Sequence, residues 1–399
     1  MRIIESDSQA KHLQEWLNSC VDEEIFHLNV KSLFFTLPYE YLLYSPKISR
    51  RNDGRLRDRD LKKYQHIELG DWWCSGVDPL NQYALMMWGC FKPDQPRRDR
   101  QKIHKFIKYE HPYREETRAF FLIVPNRIWV KVSLRCGIPI TEEDLQHPGG
   151  FWHWVWQHNV PVTIVEGVKK AGALLTAGYA AIAISGVNAG YRISTDEYGT
   201  VTCVERSRNI GKPSLIPDLK HFATQGRFVN ICFDQDNKPE TVQRVRTAIS
   251  LMGWLLVNEG CSLRVIDLPL GASKGVDDFI VAKGKPAFDA LYNTAVTLEL
   301  WEIKLLTLLT YPPAMSATGY AYALNQRFLG QLLVPEGEKL IILKAHKGTG
   351  KTEWLATEVA KAYDQGQRVL IITHRIQLSE ALCNRFGVNC DRSEVTCQN

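Results

Sequence analysis

Two apolar runs in the middle of the chain end abruptly in acid. VTIVEG closes at Glu166-Gly167, and FVNICFDQD closes at Asp234-Gln235-Asp236. Both read as short buried strands, and each is followed by helical text. After the first comes VKKAGALL, with Gly167 free to turn sharply and leave a face of Glu166 open. After the second, Asn237 and Pro239 open TVQRVRTAISLMGWLLVNEG, where Val242, Val245, Ile249, Met252 and Leu256 recur at helical spacing. A third piece, SLRVIDLPLGASKGVDDFIVAKG, reads as a strand and then a loop holding Lys274, Asp277 and Asp278. Strand–helix alternation from Val160 to about Gly284 implies a mostly parallel sheet with helices on both faces. The C-terminal strand ends of such a sheet gather on one edge. Glu166, Asp234 and Asp236 are therefore expected near one another, although they are far apart in sequence.

Short carboxylates in such a cluster are what Mg²⁺ (or Mn²⁺) requires: hard oxygen ligands, with the remaining positions left to water or substrate phosphate. Such an ion steadies charge on a transferring phosphoryl group. A carboxylate left off the metal could serve as general acid or base. The plainer alternatives are a capping or salt-bridging Glu166 and a DQD that merely starts a helix.

The order of apolar strand, Glu-Gly, apolar strand and Asp-x-Asp resembles the Toprim family of bacterial-type primases, topoisomerases and nucleases. The likeness covers roughly Val160 to Lys283. It implies a Toprim-like fold with Glu166 as catalytic acid or base and a metal set of Glu166, Asp234 and Asp236. KGVDDF replaces the family's late acidic triplet, so Asp277 and Asp278 stand as further metal candidates. Residues 187–228 exceed what a crossover needs and read as an insertion. It carries Arg192, Arg206 and Arg208, which with Lys169 and Lys170 would face nucleic acid.

A second α/β unit begins near Leu332. The strand Leu340 to Leu343 leads into Gly348-Thr349-Gly350-Lys351-Thr352 ahead of a helix. Glycines there let backbone N–H groups surround the phosphates of ATP, Lys351 supplies a charge, and Thr352 can reach Mg²⁺. The strict pattern wants glycine at Ala345. The following strand runs into THRIQLSEAL, which resembles the segment of helicases that touches the nucleic-acid backbone, at His374 and Arg375. A magnesium-binding aspartate strand and an arginine finger should come later in such a motor. The chain is accordingly expected to be part of a longer polypeptide.

Ahead of the sheet lie two basic runs. Between Arg50 and Lys63 there are seven Arg/Lys and three Asp; between Arg97 and Lys108, six positive charges and one negative. Both adjoin aromatic text, the composition expected where a backbone is neutralised and bases stack. Arg50, Arg51, Arg55, Arg57, Arg97, Arg98 and Arg100 are the candidates. AFFLIVP and RIWVKVSL, after Arg118, are expected to be two short strands.

The formal net charge of +5 permits a polyanionic partner without requiring one. None of the ten Cys forms a CxxC pair, which argues against a zinc ribbon. The uncharged stretch Ala171 to Tyr191 reads as helix, turn at Gly178 and buried strand rather than a membrane span. A cytoplasmic protein is expected, with DNA (a plasmid origin or a single strand) and nucleotides as partners and an open oligomeric state.

The expected organisation is an N-terminal α+β region over 1–117, a Toprim-like domain over 118–285, a helical linker over 286–331 and a truncated P-loop segment over 332–399. WGCFKPDQPR and KFIKYEHP, then EGVKKAGAL, FDQD and KGVDDFI, then a helicase-like loop resemble the plasmid replication proteins of cyanobacteria. That likeness implies a Mg-dependent Toprim centre coupled to an ATP-driven helicase. Primer synthesis is the favoured activity, with nicking or nuclease action and a catalytically silent origin-binding module as alternatives.

Overall fold

The computed structural model describes residues 2–99, 104–193, 213–271, 273–310, 329–330, 349–367, 369, 382 and 385–386. Residues 1–310 form one compact unit and residues 311–399 another. The larger unit is an α/β fold built around a five-stranded sheet.

Four of the five strands are parallel. Val162–Glu166 lies between Ala180–Ile184 at one edge and the central Phe228–Cys232, with Ser262–Val265 beyond. The short Val296–Thr297 runs antiparallel at the far edge. Ile164, Val165, Ile182, Ile231 and Val265 are all buried, as expected of strands covered on both faces. The covering helices include Val168–Thr176 and Pro239–Asn258, the latter opened by Pro239. On it, Ile249, Met252 and Leu256 turn to the core at the spacing read from the sequence. Gly178, at φ +93°, makes the turn between the helix ending at Thr176 and the strand Ala180–Ile184.

Arg227 fixes where the two acid-bearing strands begin. It is fully buried and donates to the carbonyls of Val155, Trp156 and Val160 at 2.6–2.9 Å and to Thr224 Oγ1 at 2.9 Å. Val160 and Arg227 each lie just before one of those strands, so a single guanidinium ties the two starting points together. Burial without a carboxylate partner lowers the pKa of Arg227 to about 10.

The N-terminal region carries its own antiparallel sheet, Val30–Leu33, Asp71–Cys74 and Cys90–Pro93. Its Trp72 packs against Trp16, which in turn meets Phe26, in a core continuous with that of the larger sheet. The two strands expected after Arg118 are not there. AFFLIVP forms no strand, and its backbone bridge to the large sheet is Phe120–Ala183. RIWVKVSL lies inside the helix Asn126–Cys136. There Ile128, Trp129 and Val132 are buried while Val130 and Leu134 face outward, so apolar residues at helical spacing outweigh β-branched propensity. In the unit 311–399, Lys351–Asp364 is a helix. Among the described residues, no helix is long and apolar enough to cross a membrane.

Candidate functional site

The parallel register decides which side chains meet. Val165 pairs with Cys232, so Glu166 and Asp234 leave the sheet at neighbouring strand ends. Gly167, at φ +97°, bends the chain from strand into helix directly behind Glu166. The backbone N–H of Gln235 donates to the Lys274 carbonyl at 3.0 Å and pins the aspartate turn to the KGVDDF loop. Those links bring Asp277, at the start of the helix Val276–Lys283, to the same edge.

Gly275 lies where these groups converge. A Cβ added to it would stand 2.4 Å from Lys170 Cε, 2.6 Å from Asp277 Oδ1 and 3.3 Å from Asp234 Oδ1. Only glycine leaves room for that approach. Asp234 Oδ1 and Asp277 Oδ1 are both buried and neither has a hydrogen-bond partner. Two orphaned carboxylate oxygens facing one cradle are costly alone, and a divalent cation would satisfy them.

Electrostatics agree. Burial raises the pKa of Asp234, and Asp277 and Asp278 push it further, against the pull of Lys170 Nζ at 3.2 Å from Oδ2. Burial, helped by Asp234, also raises that of Glu166, while Lys170, Arg244 and Lys105 oppose the shift. Arg244 and Lys105 thus bear on the centre and escaped the sequence reading. Arg244 sits on a helix, and Lys105 lies in a basic run whose direction only the fold reveals.

Not every expected ligand turns inward. Asp236 Oδ1 accepts the Lys238 N–H at 3.0 Å and its Oδ2 lies 3.9 Å from Lys274 Nζ. Asp278 is exposed, and its Oδ2 accepts the Gly275 N–H at 3.4 Å, a cap on the helix start. Asp234 and Asp277 thus meet at the Gly275 cradle, with Glu166 at the neighbouring strand end.

The expected nucleic-acid contacts divide. Arg50, Arg51 and Arg57 line a shallow basin of about 710 Å³ with Asp53, Asp58 and Arg59. Arg51 is paired with Asp58, Arg55 stands 3.8 Å from Asp53, and Arg50 donates to the Leu43 and Gly54 carbonyls. Arg97 is held by buried Glu110 at 2.6 Å, whereas Arg98 is exposed and lies over Phe106. Lys169 binds Glu15 at 2.9 Å and Arg192 binds Glu116 at 2.6 Å. Gly350, at φ +85°, caps the helix that begins at Lys351 and Thr352, with Thr349 just before it. Arg100, Arg206, Arg208, Gly348, His374 and Arg375 lie outside the described residues.

A second group unread in the sequence belongs to the N-terminal sheet. One ligand atom each from His12, Asp71 and Asp94 falls within a 4.8 Å cluster compatible with a divalent cation. His12 Nδ1 is 2.7 Å from Ser32 Oγ, its Nε2 is 2.8 Å from Asp71 Oδ1, and Lys11 binds Asp94 at 2.5 Å. Lys11 thus already pairs one of the two acids of this cluster.

Fold and site together define an α/β protein with an acidic centre at the C-terminal edge of a parallel sheet. Residues 151–287 match the family model described as a domain of unknown function, DUF3854. An uncharacterized protein of Picosynechococcus sp. is 44% identical over 383 residues, which is 95% of this chain and 36% of that protein. The chain thus spans about a third of that curated relative's length. Among solved structures, the DnaG primase catalytic domain bound to ssDNA is 15% identical at a TM-score of 0.41, covering 95% of this chain and 90% of that one. The E. coli primase catalytic core is 14% identical at 0.39, covering 98% and 97%. These are loose likenesses of fold.

Proposed function

We propose that this chain acts on DNA phosphodiesters through a Mg²⁺-dependent carboxylate centre, with primer synthesis as the favoured reaction. The observation that carries the reading is the pair of buried, unpartnered oxygens, Asp234 Oδ1 and Asp277 Oδ1, facing one cradle at Gly275. Asp234 and Asp277 would hold the ion, and Glu166 beside them would complete its shell or move a proton at the reacting hydroxyl. When bound, the ion supplies Lewis-acid stabilisation of charge on the phosphoryl oxygens. Lys105 and Arg244 would draw the DNA backbone toward the edge, and the Arg50–Arg59 basin would hold it further along. In the same reading, Gly350, Lys351 and Thr352 bind ATP as the start of a helicase motor, and the polypeptide serves plasmid replication.

The test is incubation with labelled single-stranded and supercoiled DNA, with and without NTPs and Mg²⁺. Primer bands that vanish in Asp234→Asn are expected. Nicked circles would turn the reading to a nuclease, and band shifts without chemistry to an origin-binding module. Calorimetry supplies the metal arm: unchanged Mg²⁺ affinity in an Asp234→Asn, Asp277→Asn double variant would overturn the assignment of the ion.

A further inference from the structure

Lys170 is an odd occupant of a carboxylate centre. It lies in the first turn of the helix Val168–Thr176, and its side chain is 19% exposed. The chain folds back over its own helix start, so that Nζ comes within 3.9 Å of where a Cβ on Gly167 would be. Its stem meanwhile fills one wall of the Gly275 cradle. Burying an ammonium group is costly unless it is paired, and here Asp234 pairs it.

The two oxygens of Asp234 are consequently divided. Oδ2 faces the ammonium at 3.2 Å, while Oδ1 is buried and open toward Asp277 Oδ1. Two-ion centres set their cations about 3.5–4 Å apart, a span that a carboxylate bridges most simply with one oxygen on each ion. On this edge one of the two is taken. Asp236, the nearest spare carboxylate in sequence, is committed to Lys238 and Lys274.

We propose that Lys170 is the resident cation of the centre, standing where a second metal ion would otherwise bind, so that the site loads a single divalent ion. The inference rests on the metal-dependent reading above, but it is read out by metal binding and needs no catalysis. Mn²⁺ is the probe, counted per chain by electron paramagnetic resonance and by calorimetry on the whole chain. The wild type should bind one Mn²⁺ at this centre, lost in Asp234→Asn. Lys170→Met keeps the stem and removes the charge, so loss of repulsion should tighten Mn²⁺ binding at least ten-fold. Lys170→Arg should bind as the wild type does. Thermal melting without metal checks folding, and Lys170→Gln, which can still hydrogen-bond Asp234, replaces the Met variant if that one is unfolded.

Two ions per wild-type centre would overturn the proposal. So would unchanged or weaker Mn²⁺ binding in the folded neutral variants, the behaviour of a lysine that only props the loop. Failure of the underlying reading looks different: neither wild type nor variants would bind Mn²⁺ at this edge, and both ideas would fall together.

Discussion

The strand-edge centre and the basic runs of the N-terminal region treat their charges in opposite ways. At the edge, like charges are gathered, half-buried and left short of partners, with Asp234 Oδ1 and Asp277 Oδ1 unbonded and one lysine among them. In the basic runs, several cations are answered by acids from the same stretch or its neighbours: Arg51 by Asp58, Arg55 by Asp53, Arg97 by Glu110. Unanswered buried charge is expensive and marks a site, whereas answered surface charge is ordinary. A run of arginines in sequence therefore says less than a single acid at the end of an apolar strand.

The sharpest way to break that contrast is at Glu166. Glu166→Gln should keep the fold and DNA affinity while lowering turnover on the order of 10² to 10⁴-fold, measured in single-turnover primer extension or cleavage. Wild-type turnover in that variant would make Glu166 a structural acid like those of the N-terminal region.

Glu15 tests the link between the two regions. It accepts from Lys92 at 2.7 Å and from Lys169 at 2.9 Å, next to Lys170. Burial alone would raise its pKa, yet the bonds to Lys92 and Lys169 hold it at about 2 against an ordinary 4.5. A depressed carboxyl pKa stabilises the fold above the unfolded value, and that stability is lost as pH falls through the folded one. Glu15→Gln should therefore cost about 3 kcal/mol at neutral pH. The deficit should shrink below pH 4.5 and disappear near pH 2. Chemical denaturation of both proteins across that range measures it, and a pH-independent difference would mean lost packing instead.

A smaller effect is expected at Arg97. Arg97→Ala leaves buried Glu110 with only His66, at 3.2 Å, and should cost about 2 kcal/mol in melting experiments. The DNA affinity of that variant should follow its folded fraction. Arg57, with no answering acid among the described contacts, should behave conversely. Arg57→Ala should leave stability unchanged and flatten the slope of log affinity against log salt by somewhat under one unit. Equal slopes in wild type and variant would make the Arg50–Arg59 basin plain surface.

Much of the edge was legible because a parallel sheet turns two local signals into one place: Val162–Glu166 and Phe228–Cys232 end together wherever they fall in the chain. The choice among neighbouring acids was not legible. Asp277 and Asp278 differ by one step of a helix start, and which of them faces inward depends on the backbone of Gly275. Asp236 was expected on the metal, but its carboxylate closes a turn onto the Lys238 N–H, a local competition that sequence spacing does not rank. RIWVKVSL misled because four β-branched or aromatic residues in a short run suit a strand, and only packing reveals that the buried ones sit at helical spacing. Lys170 was read as a contact for DNA, and its return toward Asp234 depends on glycine at both 167 and 275.

The spread of the centre along the chain also orders events during synthesis. Glu166 leaves the ribosome first, Asp234 well after it and Asp277 last, at rates of 5–20 residues per second. On the order of ten seconds separates the first acid from the last. Until Ser262–Val265 has paired and the loop behind it has reached Gly275, the strand-edge centre exists only as scattered carboxylates. The proposed chemistry would thus wait for the sheet to close, and a polypeptide released early would lack the assembled centre.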